Sequence, residues 1–386
     1  MNVFKKTLCI ILVVVGIMNM MNFIGCNSKS GDLPKTTTES ATTSDVGTTA
    51  PVNFYTKKTY KLKEITDKLN ILGRCVTTDD GLTADWSASG FEFVADCKNI
   101  LKINIASSHD CRFNIYMDGG ELKQINVSAG KKTYTVLANI EEGVHSFRFV
   151  KSSMVEYATK ALAVTVESIE LYGEITEKAK QRAHFIEFVG DSITCGVGAS
   201  SPTTTEAFSE LSYAYLLANK LDLDYSLVSV SGIGAGKSTE RHGDTLMGDV
   251  YPLTNYYRSK TEKYTPERKA DIVVINLNTN DKGNFGELDR KLFVDKVKEL
   301  VDMVKATHGE DVKIIWLMGM MSDPFKGYCD IWTIEYLRAI GGEEAGYYFL
   351  MVTKNNAGGA THPIASAHET VAKELEAFII DKGLLK

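Results

Sequence analysis

Apolar and polar positions alternate with a period of two over the first part of the chain. Examples are residues 91–94, 101–105 and 112–116, and turn sequences such as 118–120 separate the runs. Short alternating runs divided by turns are typical of an antiparallel β-sandwich, because one face of each strand is buried and the other faces solvent. This pattern predicts an all-β domain over residues 53–175.

The pattern changes after a charged connector at residues 174–182. Five apolar runs then follow, at residues 185–189, 225–230, 271–277, 312–318 and 347–351. Between them, apolar residues recur every three or four positions, which is the spacing of a helix with one buried face. One such stripe comprises Phe293, Val297, Leu300, Val301 and Val304. Strands that alternate with helices predict a parallel sheet, and we expect a three-layer α/β/α domain over residues 183–386.

The first 52 residues fit neither pattern. Lys5 and Lys6 precede an apolar stretch that ends before Gly25 and Cys26, as in a secretory signal peptide. The sequence around Cys26 is similar to a bacterial lipobox, so we expect a signal peptide over 1–25 and a lipid anchor on Cys26. An uncleaved membrane anchor or a plain signal peptide is the alternative. Residues 26–52 are rich in Ser and Thr and predict a linker, and the whole predicts an extracellular, surface-anchored bacterial protein.

Composition narrows the classes of partner. The net charge is −6 over 386 residues and no basic face is evident, which argues against nucleic acid. No set of cysteines or histidines has the spacing of zinc ligands, and we expect no metal and no cofactor. Of the seven cysteines, Cys97 and Cys111 could form a disulfide in an oxidising compartment or remain buried thiols.

The strongest chemical signal is the sequence Gly-Asp-Ser-Ile-Thr-Cys-Gly at residues 190–196. It follows the first apolar run of the α/β half, so Ser192 falls at the carboxyl end of a strand, where ligands bind in open α/β sheets. A serine there can act as a nucleophile, and its own N–H can donate to an oxyanion. A serine at a helix N-cap would give the same short pattern.

Three further segments add to this signal. Gly232 follows the second apolar run, and Asn280 follows the third within Asn-Thr-Asn-Asp. His362 precedes Pro363, and proline suits the first turn of a helix. Ester cleavage needs a nucleophile, a neighbouring base and donors to the oxyanion, and these residue types provide all three.

These four segments, in this order, resemble the motif blocks of the SGNH (GDSL-type) hydrolases, and residues 190–196 resemble carbohydrate esterase family 2. Residues 72–74 and 85–90 are similar to the N-terminal jelly roll of the same esterases. The resemblance implies two domains. The first is an all-β jelly-roll sandwich, and the second is an α/β/α SGNH hydrolase domain with a flavodoxin-like parallel sheet.

The resemblance also implies a role for each motif residue. It makes Ser192 the nucleophile and His362 the base, and it makes Ser192, Gly232 and Asn280 the oxyanion hole. Family members usually carry an Asp two or three residues before the histidine, whereas this chain has residues 359–361, Gly-Ala-Thr. We therefore expect a Ser–His dyad whose imidazole is oriented by a main-chain carbonyl, as in some family 2 esterases.

A second departure is Asn278, which stands where the family usually has glycine. Asn tolerates a left-handed backbone better than most residues, so we expect the turn to be kept, with a side chain that could crowd the pocket. Residues 234–238 look like a fragment of a phosphate-binding loop, but Ser231 stands where that loop needs glycine.

The function that the resemblance implies is removal of acetyl groups from acetylated plant polysaccharide or oligosaccharide, such as xylan or glucomannan. The alternatives are a lipase or thioesterase of the same fold, and a surface lipoprotein that binds glycans through a degenerate site. Phe325, Tyr328 and Trp332 could line a platform for sugar rings. Core packing is the alternative role for each of these three aromatic residues.

Overall fold

The structure is a computed structural model that describes residues 55–385, except 121–122, 158–159, 257–258, 283–287, 322 and 324–326. Residues 53–386 form one compact unit. The predicted signal peptide, lipidation site Cys26 and linker 26–52 lie outside the described residues. Among the helices that are described, none has the length and apolar character needed to cross a membrane.

The N-terminal region is a large antiparallel sheet. Its strands are β1 (Lys57–Lys61), β2 (Asn70–Leu72), β3 (Val76–Thr78), β4 (Gly81–Thr83), β5 (Gly90–Ser107), β6 (Cys111–Met117), β7 (Lys123–Val127), β8 (Gly130–Lys151), β9 (Glu156–Tyr157), β10 (Lys160–Ala161) and β11 (Val164–Lys178). The order is β3-β4-β11-β5-β8-β6-β7, with β1 on β11 and β2 on β5, while β9 and β10 pair separately. The all-β prediction for this region is confirmed, and its jelly-roll arrangement stays a prediction.

The core of this region contains phenylalanines on the two longest strands. Phe91 of β5 lies opposite Phe149 of β8, and Phe93 lies opposite Phe147. The ring centroids of these two pairs are 5.3 and 5.1 Å apart, and all four side chains are buried. Cross-strand aromatic pairs of this kind fix the register of the two strands.

The C-terminal region alternates strands and helices. Its elements are β12 (Phe185–Gly190), α1 (Ser192–Cys195), α2 (Tyr213–Lys220), β13 (Asp224–Ser229), α3 (Met247–Val250), β14 (Leu253–Asn255), β15 (Ser259–Lys263), β16 (Ile272–Asn276), α4 (Arg290–His308), β17 (Lys313–Gly319), α5 (Cys329–Ala339), β18 (Tyr347–Val352) and α6 (Ala365–Asp381). Five of these strands form a parallel sheet in the order β13-β12-β16-β17-β18. The predicted parallel sheet is confirmed, and each of its five predicted strands is present.

The order of the strands indicates the edge of the parallel sheet at which a ligand would bind. The first strand, β12, lies between the second and third strands, β13 and β16. The chain therefore leaves β12 toward one side of the sheet and leaves β16 toward the other. Ligands bind at such a switch point, in the crevice outside the carboxyl ends of the strands. The loops that carry Ser192 and Asn280 begin at these two strand ends.

A buried ion pair joins the two regions. Arg74 lies between β2 and β3, and its guanidinium donates to both carboxylate oxygens of Glu187 on β12 at 3.1 Å. Both side chains are buried. His308 at the end of α4 completes the cluster, since its Nε2 lies 3.0 Å from Glu187 Oε1 and its Nδ1 accepts from the N–H of Ala270. Because Nδ1 accepts, the hydrogen of the neutral ring is on Nε2 and points at the carboxylate.

The same contact sets the charge of Glu187. Burial alone would raise the pKa of this carboxyl, but the Arg74 guanidinium and the His308 ring more than offset it and lower the pKa to about 2. Glu187 is therefore ionised in the folded chain. Its carboxylate needs the guanidinium of the other region, because an unpaired charge in this position would be buried without compensation.

A second ionic cluster lies at the amino end of the parallel sheet. Arg182 contacts Glu92 of β5 at 2.8 Å and Asp224, the first residue of β13, at 3.0 Å. Arg148 of β8 also donates to Glu92, at 2.6 Å. Asn70 of β2 donates to both Glu92 and Asp224. A network of charged groups thus joins the antiparallel region to the amino end of the sheet.

Replacing Arg74 tests the role of the buried pair. Arg74→Met leaves the Glu187 carboxylate buried with only the His308 ring, so we expect unfolding in urea to require roughly 3 to 5 kcal/mol less free energy at pH 7. The matched control is Arg290→Met, which breaks the exposed pair with Glu335 and should cost less than about 1 kcal/mol. Because the pKa of Glu187 is lowered in the fold, the difference should shrink as the pH falls from 4.5 toward 2. Equal losses for the two variants would contradict this role of Arg74.

Candidate active site

Ser192 is positioned by a tight turn after β12. Asp191 caps the short helix α1 by accepting from the N–H of Ile193 at 2.9 Å, and Gly196 ends this helix with a φ of 75°. The turn has no space for a larger residue at position 190, because a Cβ there would lie 2.1 Å from Thr194 Oγ1. The small residues around Ser192 are therefore required by packing, and the serine is held at the carboxyl edge of the sheet.

The imidazole of His362 lies beside this serine. His362 Nε2 is 2.8 Å from Ser192 Oγ, and His362 Nδ1 is 3.0 Å from the carbonyl oxygen of Ala360. A carbonyl can only accept, so this contact places the ring hydrogen on Nδ1 and leaves Nε2 to accept from the serine hydroxyl. The arrangement is that of a nucleophile with its general base, and the ring is oriented by the main chain.

An unusual backbone presents the Ala360 carbonyl. Ala360 and Thr361 both have a left-handed conformation, with φ values of 49° and 59°. Two successive non-glycine residues in this region cost free energy, so surrounding contacts must hold them in place. The N–H of Gly359 donates to Gly198 O at 3.0 Å, and a Cβ on Gly359 would lie 1.5 Å from Thr204 O. The histidine loop is thus seated directly against the loop that follows Ser192.

The surroundings keep His362 neutral. Burial lowers the pKa of its imidazole below 6.5, and the hydrogen bond to Ala360 O opposes this only in part. At neutral pH the ring is therefore ready to accept a proton. His368, within α6, has a different role: it is buried, its Nδ1 accepts from the N–H of Tyr213 at 3.1 Å, and burial lowers its pKa to about 3.

Two backbone N–H groups at the site are available as donors. Within the part of the chain that the structure describes, neither the N–H of Ser192 nor that of Gly232 has an acceptor. Gly232 has a φ of 87°, and a Cβ there would lie 2.6 Å from Thr239 Oγ1. Both facts require glycine at this position.

Asn280 lies at the site, and its side-chain amide nitrogen donates to two acceptors of the chain itself. Its Nδ2 donates to Asp191 Oδ2 at 3.1 Å and to the carbonyl oxygen of Ile233 at 2.7 Å. An amide nitrogen has two hydrogens, so Asn280 can assist an oxyanion only by sharing one of them. The residue therefore joins the loops after β12, β13 and β16 to one another. Burial raises the pKa of Asp191 to about 7.

The segment that looked like a phosphate-loop fragment holds a carboxylate of the chain itself. Asp281 accepts from the N–H groups of Ala235, Gly236 and Lys237, at 3.0, 2.6 and 2.7 Å. Its side chain is buried. Three converging N–H groups form an anion-binding concavity, and Asp281 occupies it. This partner was not predicted, although Asp281 directly follows Asn280 in the sequence.

Asn278 has the left-handed backbone expected for it, with a φ of 77°. Its side chain is fully buried and donates to Asp330 Oδ1 at 3.0 Å and to Thr333 Oγ1 at 3.3 Å. Both partners belong to α5, so the amide is engaged by this helix. Nothing in the sequence pattern indicated Asp330 as a partner of the motif.

The three aromatic candidates differ in their surroundings. Tyr328 is 68% exposed, and its ring stacks on Trp332 with centroids 5.8 Å apart. Trp332 also contacts the buried Phe293, with centroids 5.9 Å apart. Phe325 lies outside the described residues. Of the two candidates that are described, Tyr328 is thus exposed to a ligand, whereas Trp332 is half-buried.

The cysteines of the described part are free thiols, at positions 75, 97, 111, 195 and 329. The disulfide considered for Cys97 and Cys111 is therefore not formed in this structure. Burial raises the pKa of both thiols. Four of the five side chains, including both of these, are buried, which suits a role in packing.

The protonation of His362 can be measured directly. We expect its imidazole to titrate below pH 6.5 in an NMR titration, because burial disfavours the charged ring, and His368 to stay neutral down to pH 5. A short histidine-containing peptide provides the reference for a solvated ring. A His362 ring that titrates above this peptide would contradict the dominant effect of burial.

Comparisons with known proteins show which families this chain is similar to. Residues 188–377 match the GDSL-like lipase/acylhydrolase family. The cellulase/esterase CelE of Acetivibrio thermocellus is 27% identical over 321 residues, which cover 78% of this chain and 38% of CelE. The acetylxylan esterase/glucomannan deacetylase of Cellvibrio japonicus is 29% identical over 163 residues, 38% of this chain and 44% of that enzyme. The chain thus spans less than half the length of these two relatives.

A solved structure is similar over nearly the whole described chain. The family two carbohydrate esterase from Clostridium thermocellum superimposes with a TM-score of 0.75 and 26% identity, covering 82% of this chain and all of that one. The similarity includes both the antiparallel and the parallel region. From these matches, the chain carries a GDSL-like lipase/acylhydrolase domain and is related to the family 2 carbohydrate esterases.

Proposed function

We propose that this chain is an exported O-acetyl esterase that removes acetyl groups from plant polysaccharide of the xylan or glucomannan type. The observation that carries the proposal is the imidazole of His362, which lies 2.8 Å from Ser192 Oγ and is oriented through Nδ1 by the Ala360 carbonyl. Relatives named as an esterase and as an acetylxylan esterase support the class of reaction.

The geometry supports acyl transfer in two steps. Ser192 Oγ attacks the acetyl carbonyl while His362 Nε2 takes the hydroxyl proton, and the N–H groups of Ser192 and Gly232 bind the oxyanion, assisted by Asn280. The imidazolium then protonates the sugar oxygen, which leaves with its hydroxyl restored. Water attacks the acetyl-serine, His362 takes a proton from that water, and acetate is released as Ser192 recovers its proton.

The Ala360 carbonyl has a distinct electrostatic role in this scheme. It holds the imidazole in the tautomer that the base needs, as a carboxylate would. A carbonyl has only a dipole, however, whereas the Asp that is usual in the family has a full negative charge. The imidazolium of the intermediate is therefore less stabilised than it would be beside Asp. We expect the rate to depend strongly on how rigidly residues 359–361 hold this oxygen.

The class of substrate rests on the relatives and on one exposed ring. The Clostridium thermocellum esterase was solved in complex with cellohexaose, and the Cellvibrio japonicus enzyme is named a glucomannan deacetylase. The open face of Tyr328 suits stacking against a sugar ring. Export, lipidation at Cys26 and the jelly-roll arrangement of the first domain remain parts of the same proposal.

Loss of the serine nucleophile tests the reaction. Ser192→Ala should lower acetate release from acetylated xylan on the order of 10³-fold or more, because the nucleophile is removed while binding groups remain. Ser366→Ala, an exposed serine on α6, is the matched control and should retain the wild-type rate. Equal rates for wild type and Ser192→Ala would contradict the proposal. Glycan binding by a wild type without turnover would instead favour the degenerate binding protein, and preference for long acyl esters would favour a lipase.

Removal of the exposed ring tests the substrate contact. Tyr328→Ala should raise KM for acetylated xylo-oligosaccharides by about 5-fold, equivalent to roughly 1 kcal/mol of stacking, with kcat within about 2-fold. Kinetics on 4-nitrophenyl acetate, which has no sugar, should not change. Leu292→Ala removes another exposed apolar side chain, on α4, and serves as the control. A parallel loss on both substrates would count against stacking at Tyr328.

A further inference from the structure

One buried carboxylate, that of Asp330, contacts both ends of the turn after β16, which comprises residues 278–282. Asp330 on α5 is completely buried. Its Oδ1 accepts from the Asn278 amide at 3.0 Å, and its Oδ2 lies 2.5 Å from the Lys282 ammonium, whose side chain is also buried. The N–H of Lys282 donates to Asn278 O at 3.0 Å and closes the turn.

The middle of this turn carries Asn280, whose amide reaches Asp191 Oδ2 and the Ile233 carbonyl. The position of this amide relative to Ser192 therefore depends on a turn whose two ends are attached to α5. Asp330 itself has no contact with Ser192 or His362 among the hydrogen bonds of the described residues. Through its contacts with Asn278 and Lys282, Asp330 acts on the reaction by way of the turn.

The need for Asp330 follows from Asn278. A glycine at position 278 would adopt a φ of 77° without strain and without a polar side chain to satisfy. The Asn amide, in contrast, is completely buried and needs acceptors, which Asp330 and Thr333 provide. Without the carboxylate, the amide would be left with the Thr333 hydroxyl alone, and the turn would have to move to satisfy it.

We propose that Asp330 is a positioning residue for the oxyanion hole, acting through the amide of Asn278. The inference rests on the proposed function and goes beyond it, because it assigns a role to a residue outside the motif segments. Position 278 holds an asparagine where the resemblance implies a glycine, and Asp330 on α5 accepts from the amide of this asparagine. Substitution at Asp330 should lower activity more while Asn278 is present than after Asn278 has been replaced by glycine.

A double-mutant cycle tests this dependence with a probe that needs no sugar. Paraoxon reacts with an activated serine: Ser192 Oγ bonds to phosphorus, the bond to 4-nitrophenolate breaks, and His362 takes the serine proton. The phosphoryl oxygen occupies the oxyanion site, so the maximal rate kinact reports on its donors, and the apparent constant KI reports on binding. Each variant is compared at the same pH after its fold is checked by thermal unfolding.

The expected results are specific. Asp330→Ala should lower kinact about 10-fold more in the wild-type background than in the Asn278→Gly background, with KI within about 2-fold in each. Loss of the Lys282 partner is common to both backgrounds and cancels in the cycle. Glu335→Gln, an exposed position on the same helix, is the matched control and should leave kinact unchanged.

An exchange of the two side chains provides the same test without a cavity. Asn278→Asp places two carboxylates against each other and should lower kinact about 10-fold, and adding Asp330→Asn should restore it, because the amide then donates in the opposite direction. Equal losses in both backgrounds of the cycle, or failure of the exchange to restore kinact, would overturn the inference. Wild type that reacts with paraoxon but releases no acetate from xylan would overturn only the proposed substrate. Wild type that does not react would overturn both.

Discussion

The hydrogen bond from His362 Nδ1 to the Ala360 carbonyl is the contact on which the site depends. It selects the tautomer, and the tautomer decides whether Nε2 can accept from Ser192. The acceptor is a main-chain atom, so its position is decided by backbone conformation and not by a side-chain rotamer. The cost of two left-handed residues is offset by close contact between the histidine loop and residues 198–204. The position of the His362 ring is thus fixed by packing of the histidine loop against residues 198–204.

Much of this architecture could be predicted from local patterns. Apolar runs located the five parallel strands, since strands buried on both faces are continuously apolar. The antiparallel region was harder: the runs at 91–94 and 101–105 belong to one strand, β5, which continues through shifts in its register with β8 between Cys97 and Lys102. The resemblance to the family 2 esterases also implied that Ser192 and His362 lie together and that a main-chain carbonyl orients the imidazole.

The partners that hold the motifs could not be predicted in this way. Asp281 bonds to residues 235–237, Asp330 to Asn278, and Arg74 to Glu187, which is 113 positions away. Each pairing depends on how elements far apart in the sequence pack together. Neither the periodicity of apolar residues nor the composition of the chain encodes such packing. Residues 234–238, which look like a fragment of a phosphate-binding loop, show this limit of sequence-based prediction. Their N–H groups do converge on an anion, but that anion is a side chain of the same protein.

The ionic clusters at the base of the parallel sheet bear on how this protein can change over time. Glu187 and Asp224 are strand residues of the hydrolase region, and the cations that neutralise them, Arg74 and Arg182, come from the antiparallel region and the connector. A domain joined by a flexible linker can be exchanged or lost with little cost to its neighbour. This antiparallel region cannot, because its departure would leave the buried carboxylate of Glu187 without the guanidinium of Arg74, although Asp224 would keep Arg268. We therefore expect the two regions to be inherited together.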